Sequence, residues 1–298
     1  MGGKQPLACL VILAGIAVAP GGALAGAWVQ DPGTAYIRVT SGYLASDERF
    51  DQEGDRVPWD ASGGGFRDSQ YQELAATLYA EVGIAAGWNA VVSVPWSRLQ
   101  ADQPTAVFTT YGVGDITLAL KRALSSGGGT VSSAMVGFAF PGGYDETEYP
   151  ALGTGVREGS ILAQVGHSWG SPWANLEAEV RVRGGGHADQ LRGALGGGMS
   201  ANRWIAFRAE ARGVLSLFEE MGVLPAVPVG TGSPPFDPAA ADPTYLDLAG
   251  TVSVHVTRGV ALEGEVRSTV RGENTLAGTR WTLAVATSPA WRFREEGR

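Results

Sequence analysis

The chain has 298 residues, 44 of them glycine, and its formal net charge at pH 7 is −8. This length allows one large all-β domain or two ordinary domains, and abundant glycine suits tight turns and crowded strand walls. An acidic chain is not attracted to a phosphate backbone, so the charge argues against a nucleic-acid partner.

Residues 1–25 have the features of a secretory signal peptide. Lys4 supplies a positive charge, the apolar stretch PLACLVILAGIAVA follows, and an Ala-x-Ala cleavage pattern ends at Ala25. A membrane-spanning helix is the alternative, but a proline and two glycines interrupt an apolar run that is already short for a span. We therefore predict cleavage before Gly26 and a mature chain of residues 26–298.

The mature chain is predicted to contain no cysteine chemistry and no membrane-spanning helix. Cys9 is the single cysteine and lies inside the apolar run, so no disulfide or cysteine-bound metal is expected after cleavage. No later stretch approaches the roughly 18 to 20 apolar residues of a spanning helix. Such a chain is either soluble outside the cytoplasm or a β-barrel in an outer membrane.

Apolar and polar residues alternate in twelve segments of the mature chain. In NLEAEVRVR, residues 175–183, Leu176 and Val180 alternate with charged residues such as Glu179 and Arg183. Because a strand sends successive side chains to opposite faces, each segment has one apolar and one charged face. Strand lengths of about 9 to 13 residues suit tilted strands that cross a bilayer. The predicted strands cover about 34–45, 68–82, 88–96, 113–124, 130–140, 160–168, 173–183, 189–199, 204–213, 244–256, 260–271 and 279–287.

The predicted connections alternate between short and mostly long. The short ones are 83–88, 125–129, 170–172, 200–203 and 257–259, and the others are 46–65, 97–112, 141–159, 184–189, 214–243 and 272–278. Short periplasmic turns and long extracellular loops are typical of outer-membrane barrels. We therefore predict an all-β fold, a single antiparallel transmembrane β-barrel of about twelve strands, with both termini in the periplasm.

Tryptophans cluster near the predicted short turns. They are Trp88, Trp169, Trp173, Trp204 and Trp291. Amphipathic aromatic rings favour the membrane–water interface, so we interpret them as an aromatic girdle. The alternative is a scattered set of core aromatic residues.

Charged residues recur on the face of the strands that a barrel would turn inward. These residues are Arg181, Arg183, Arg192, Arg208, Arg212, Arg267, Arg271, Arg280, Glu73, Asp115, Glu177, Glu179, Glu210, Asp247, Glu263 and Glu265. The strand directions place most arginines toward the outer mouth, with Glu73 and Asp115 on the opposite wall. Such an arrangement would set up a transverse field that selects solutes. The alternative is that the charges pair across strands and fill a polar interior.

Several stretches carry a family resemblance. They are AWVQDPGTAYI (27–37), LYAEVGIAAGWNAVVSVPW (78–96), GVGDITLALKRAL (112–124), GFAFPGGYD (137–145), PALGTG (150–155) and RVRGGGHADQLRGALG (181–196). In their order and spacing they resemble the outer-membrane barrels named for the meta-pathway of phenol degradation, including the XagA-like branch. The resemblance implies a twelve-stranded pore for aromatic or other small hydrophobic compounds. The end of the chain departs from the pattern, since REEGR follows Phe293.

We expect an outer-membrane channel that passes small organic molecules through a charge-lined lumen. The expected partners are outer-membrane lipid, a small-molecule solute and the barrel-assembly machinery. A structural or surface-binding barrel with an occluded lumen is the alternative, and an outer-membrane hydrolase is a third hypothesis.

No catalytic residue, metal or cofactor is expected. His167 and Ser168 are neighbours on a strand and face opposite ways, and no Gly-x-Ser-x-Gly elbow occurs. His255 shares a face with Ser253, which is a weak signal on its own. The acidic loop 47–55 lacks the spacing of a calcium-binding EF-hand.

Overall fold

The computed structural model describes residues 26–59, 69–103, 106–145, 147–217, 236–238, 241–257 and 259–288. The predicted signal peptide and Trp291 lie outside these ranges. The strands are β1 (Ala35–Ser46), β2 (Glu48–Phe50), β3 (Arg56–Pro58), β4 (Gln70–Ala85), β5 (Trp88–Gln103), β6 (Ala106–Val113), β7 (Ile116–Gly127), β8 (Thr130–Phe140), β9 (Glu158–Ser168), β10 (Pro172–Arg183), β11 (Asp189–Ser200), β12 (Ile205–Leu217), β13 (Thr244–Thr257), β14 (Val260–Glu273), β15 (Thr275–Leu276) and β16 (Thr279–Thr287).

The large sheet closes on itself as a twelve-stranded antiparallel barrel. β1 pairs with β4 on one side and with β16 on the other, and β4 also pairs with β5. β6 and β7 form one interrupted strand, because both pair with β5, β6 along its upper part and β7 along its lower part. The predicted fold class and strand number are confirmed. Because the sheet is closed, it has no open edge whose backbone N–H and C=O groups would lack hydrogen-bond partners in hydrocarbon.

The outer face of the barrel is apolar and the inner face is polar. On β10, Leu176 and Val180 are 56% and 49% exposed, whereas Arg183, on the opposite face of the same strand, is buried. The same exposed apolar pattern recurs around the wall, for example at Leu118, Ile161 and Leu283. An apolar outer band around a polar interior is the arrangement of outer-membrane barrels, so the barrel crosses the membrane with its apolar band in lipid. Among the residues described, no helix is long and apolar enough to span a membrane.

One predicted loop is wrong. Residues 97–112 were expected to form a long connection, but β5 continues to Gln103 and β6 begins at Ala106. The outward side chains of this extension, such as Arg98 and Gln100, are polar and bond to each other at 3.4 Å. The hairpin rises above the apolar band, where an outward face meets water. The polar outward residues of this extension therefore give a sequence pattern that is typical of a loop.

A hydrophobic cluster lies inside the barrel at its long-loop end. We call it the mouth cluster; its buried members are Leu44, Trp59, Tyr71, Leu99 and Ala101, and Tyr149, Leu152, Phe236 and Leu276 pack against them. A small sheet of β2, β3 and β15 lies at the same end. Hydrophobic residues therefore face outward in the membrane and inward above it.

Candidate functional site in the barrel lumen

The predicted lumen charges of β12 and β14 form one connected network. Arg267 bonds to Glu265 at 3.1 Å and to Glu210 at 3.0 Å, and Arg208 bonds to Glu265 at 3.1 Å. Arg212 joins the network through Glu210 at 3.0 Å, but its side chain stays 47% exposed. Each carboxylate is thus shared by two arginines. Because the carboxylates are shared, the charged side chains of β12 and β14 are held together across the intervening strand β13.

A second network lies at the long-loop end of β9 and β10. Arg181 bonds to Glu158 at 2.9 Å and to Glu179 at 3.1 Å. The Arg183 side chain is 2% exposed and contacts Glu158 at 3.2 Å and Asp242 at 3.1 Å. Because Asp242 precedes β13, Arg183 ties the extracellular connection before that strand to the barrel wall.

The acidic residues expected on the opposite wall are also bonded to neighbours. The Glu73 carboxylate accepts two hydrogen bonds from the Arg280 guanidinium, at 3.0 and 2.7 Å. Asp115 accepts bonds from the Tyr144 hydroxyl at 2.6 Å and from the Thr154 backbone at 3.0 Å, so it holds the β8–β9 loop. Glu73 is therefore in contact with an opposite charge, whereas the recorded partners of Asp115 are neutral groups.

The remaining predicted lumen charges also point inward but have different partners. Glu263 bonds to Arg38 at 2.8 Å. Arg192 bonds to Gln190 at 2.9 Å, and Asp247 accepts a bond from Thr269 at 2.9 Å. Glu177 accepts bonds from the side-chain amides of Gln164 and Asn175.

Arg271 is the exception, and its predicted lumen placement is wrong. The pairing of β13 with β14 shifts register, so Asp247 faces Thr269 while Leu246 faces Arg271, and Val270 is the extra residue. Leu246 and Arg271 are both exposed. A bulge of one residue inverts the faces of everything beyond it. Alternation alone could not have shown this.

The tryptophans of the predicted aromatic girdle lie in different surroundings. Trp88 begins β5 with the Arg122 guanidinium 4.8 Å above its ring, and Trp169 is 65% exposed in a short turn. Trp204 lies in another short turn beside Arg203. Trp173 is wrongly assigned, since it shares the inward face of Asn175 and packs against Trp28, with ring centroids 6.2 Å apart.

Sequence reasoning missed aromatic residues at the opposite border of the apolar band. Tyr43 and Trp281 are register partners on β1 and β16, 46% and 61% exposed. Trp96 and Tyr111 are exposed on β5 and β6. Their alternation with inward polar residues was the available signal.

The residues before β1 enter the lumen at the short-turn end. We call residues 26–34 the amino-terminal segment. The Lys121 ammonium, 1% exposed, donates to the carbonyl oxygens of Gly26 and of Trp28, the latter at 3.0 Å, and pairs with Glu81 at 3.1 Å. Glu81 also accepts bonds from Tyr79 and from Asn89. A buried, fully bonded cation therefore holds the segment against the wall.

Glycines in the wall make room for this segment. A Cβ on Gly83 would lie 2.1 Å from the Asp31 carbonyl oxygen, and a Cβ on Gly166 would lie 2.7 Å from the Trp28 ring. The Gly33 backbone also donates to the Gly83 carbonyl at 3.0 Å. The segment thus reaches from β4 to β9, across the lumen. Sequence analysis missed it, although Lys121 is the only lysine after residue 25 and lies on the inward face of a predicted strand.

The mouth cluster lines the other end of the same passage. The Trp59 ring lies 5.1 Å from the Tyr71 ring and 5.6 Å from the Phe236 ring. The Arg49 guanidinium lies 4.8 Å from the Phe236 ring. The lumen therefore has three levels: apolar at the outer mouth, paired charges in the middle, and the amino-terminal segment below.

The histidines do not form a triad in the part of the chain that the structure covers. His167 bonds to Thr130 at 2.7 Å, and His187 lies 3.6 Å from Asp242. The His255 backbone donates to the Trp204 carbonyl at 2.7 Å, and its side chain shares the inward face with Ser253. None of these contacts places a hydroxyl, an imidazole and a carboxylate in a row.

Comparison with protein-family models finds no match, and comparison with curated proteins finds none either. Among solved structures, an outer membrane channel from Pseudomonas putida F1 aligns with 89% of this chain and 99% of its own, with a TM-score of 0.69 and 14% identity. At this identity the likeness shows the shared fold, that of an outer-membrane barrel.

Two other solved structures resemble the chain more loosely. The CymD monoaromatic hydrocarbon channel aligns with 88% of this chain and 89% of its own, with a TM-score of 0.45 and 8% identity. The Ralstonia pickettii toluene transporter TbuX aligns with 88% and 90%, with a TM-score of 0.43 and 10% identity. Likeness at this level carries no argument about this chain.

Proposed function

We propose that this barrel is an outer-membrane channel for small organic molecules, and that its amino-terminal segment closes the lumen at rest. The observation that carries the proposal is that the amino-terminal segment, in addition to wall side chains, lies inside the lower lumen and bonds to its wall. Twelve strands give a backbone radius of roughly 12 Å, enough to hold one extended segment. A segment that enters from one end and is held by a few contacts can also leave.

The apolar character of the mouth cluster favours the proposal that the solute is aromatic or aliphatic. Trp59, Tyr71 and Leu99 pack apolar side chains against one another inside the outer end of the barrel, where a channel for ions would carry charged groups. The resemblance to barrels named for phenol degradation fits the same solute class. The paired charges below would discourage ions, because each already has an opposite charge in contact.

An occluded structural barrel is the second candidate. The contacts of Lys121 with the amino-terminal segment and the dense arginine–carboxylate pairing both favour a closed lumen. The two functions differ in whether the lumen ever opens.

Uptake of the apolar dye N-phenyl-1-naphthylamine by cells that produce the barrel tests the function. The dye fluoresces once it reaches the membrane interior beneath the lipopolysaccharide. We expect faster uptake with the wild-type barrel than with empty cells, and slower uptake with Leu99→Asn, which places an amide in the mouth cluster. The matched control is Thr110→Ser, since Thr110 is the register partner of Leu99 and is already polar. Uptake equal to that of empty cells would refute transport of this solute class.

A further inference from the structure

Glu177 differs from its neighbours in having no cation. Its Oε1 accepts bonds from Gln164 at 3.0 Å and from Asn175 at 3.2 Å. No ion pair involves it in the described part of the barrel, whereas Glu179, two residues along the same face, pairs with Arg181 at 3.1 Å. The two partners recorded for this carboxylate are neutral amides, so no opposite charge among the described residues is in contact with it. It therefore favours a cation nearby.

Gly26 brings the end of the predicted mature chain to this carboxylate. A Cβ built on Gly26 would lie 3.7 Å from Glu177 Oε1 and 3.8 Å from Asn175 Nδ2. The α-nitrogen is bonded to the same Cα, so standard geometry places it about 2.5 Å from that Cβ position. In the uncleaved chain this nitrogen is an amide. After cleavage it is an ammonium that carries a positive charge and can rotate freely about the terminal Cα.

We propose that Glu177, positioned by Gln164 and Asn175, is a binding site for the α-ammonium group of the processed chain. The proposal rests on the predicted cleavage before Gly26. The ligand is a primary ammonium at the end of an extended peptide. Processing creates it, so the lumen receives its closing ion pair after the signal peptide has been removed.

Two further contacts fix the same end of the segment. Lys121 bonds to the Gly26 and Trp28 carbonyl oxygens, and the Trp28 ring lies in the space at Gly166 beside Trp173. Lys121 is itself neutralised by Glu81, so it does not offset the charge of Glu177. Different wall residues therefore bind the carbonyl groups, the Trp28 ring and the α-ammonium group. Together these contacts fit a chain that begins at Gly26.

The composition of the chain makes the test specific. Lys121 is the only lysine after residue 25, and its side chain is 1% exposed. An amine-acylating reagent added at pH 7 to the processed, detergent-solubilised barrel therefore has two amine targets, and mass spectrometry distinguishes them. Sequencing of the same material is expected to begin at Gly26, and a different first residue would overturn the proposal.

We expect the α-amine of the folded wild-type barrel to be acylated slowly, and that of Glu177→Gln roughly tenfold faster, because a charge-assisted bond is lost. Glu179→Gln is the matched control: it removes the same charge on the same face and should react like wild type. Equal rates in wild type and Glu177→Gln, or equal acceleration in both variants, would overturn the proposal.

A second variant covers the case in which Glu177→Gln does not fold. Inserting one glycine after Gly26 moves the ammonium by one residue and leaves the wall intact. Faster acylation is expected, and a wild-type rate would overturn the proposal. These rates do not depend on any current, so a barrel that never conducts would refute the channel and leave the ammonium site standing.

Discussion

Replacing Lys121 with methionine should open the lumen. The side chain of Lys121 is 1% exposed and bonds to two carbonyl oxygens of the amino-terminal segment, while its ion-pair partner Glu81 belongs to the wall. Bonds to a charged group contribute about 1.5–3 kcal/mol each. Losing two would weaken docking of the segment by about 3–6 kcal/mol before its carbonyl groups regain water. Each 1.4 kcal/mol is tenfold, so a loss of about 3 kcal/mol would raise the ratio of open to closed barrels roughly a hundredfold.

The assay is single-channel current in a planar bilayer, recorded for wild type, Lys121→Met and the double variant Glu81→Gln/Lys121→Met. The single variant leaves a buried carboxylate without its cation, which by itself costs about 3–5 kcal/mol of stability. The double variant removes that charge and still lacks the bonds to Gly26 and Trp28. We expect both variants to spend more time open than wild type. If the double variant closes again, the uncompensated charge rather than the lost docking contacts caused the opening, and the reasoning fails.

Other predictions follow from single contacts. Gly83→Ala should raise the current, since its Cβ would lie 2.1 Å from the Asp31 carbonyl oxygen, and a wild-type current would show that the segment does not press on the wall there. Arg183→Ala should speed proteolysis of the connection before β13 by freeing Asp242, and an unchanged digestion rate would count against this tie. Leu195→Arg should lower the free energy of unfolding in lipid vesicles by about 2–4 kcal/mol, because Leu195 is 60% exposed at mid-strand, whereas Leu195→Ala should cost less; an equal effect would place this face outside hydrocarbon. Arg271→Ala should leave conductance unchanged, and a shift in ion preference would return Arg271 to the lumen.

Alternation in the sequence was sufficient for the barrel. β8 and β16 begin and end where they were predicted, and most other strands extend the prediction by one to four residues. In each such strand the apolar side chains face lipid and the polar side chains face the lumen. The extension of β5 was missed because this pattern is reversed above the membrane. There the apolar Leu99 faces inward and the polar Arg98 faces outward.

The candidate site was less predictable because it depends on contacts between distant residues. That Arg280 faces inward follows from alternation, but its bond to Glu73 depends on β16 meeting β1 and β4 at closure. Arg271 and Trp173 were assigned to the wrong face for different reasons. A single extra residue in β14 moved Arg271 outward. Trp173 lies on the inward face by alternation with Leu176, and it packs there against Trp28.

The amino-terminal segment was least visible in the sequence. It forms no barrel strand, and its docking relies on one lysine, on glycines at particular heights and on backbone carbonyl groups. Of these, Lys121 was a detectable signal, since a lone lysine on the inward face of a strand needs an anionic or carbonyl partner.

Deletion of residues 27–33 tests the central claim most directly, because it removes the segment and leaves the wall and the cleavage pattern intact. The account predicts that the shortened barrel conducts in a planar bilayer with a steady current severalfold or more above that of wild type, which should be mostly closed. Identical currents from the two proteins would show that the segment does not control the lumen.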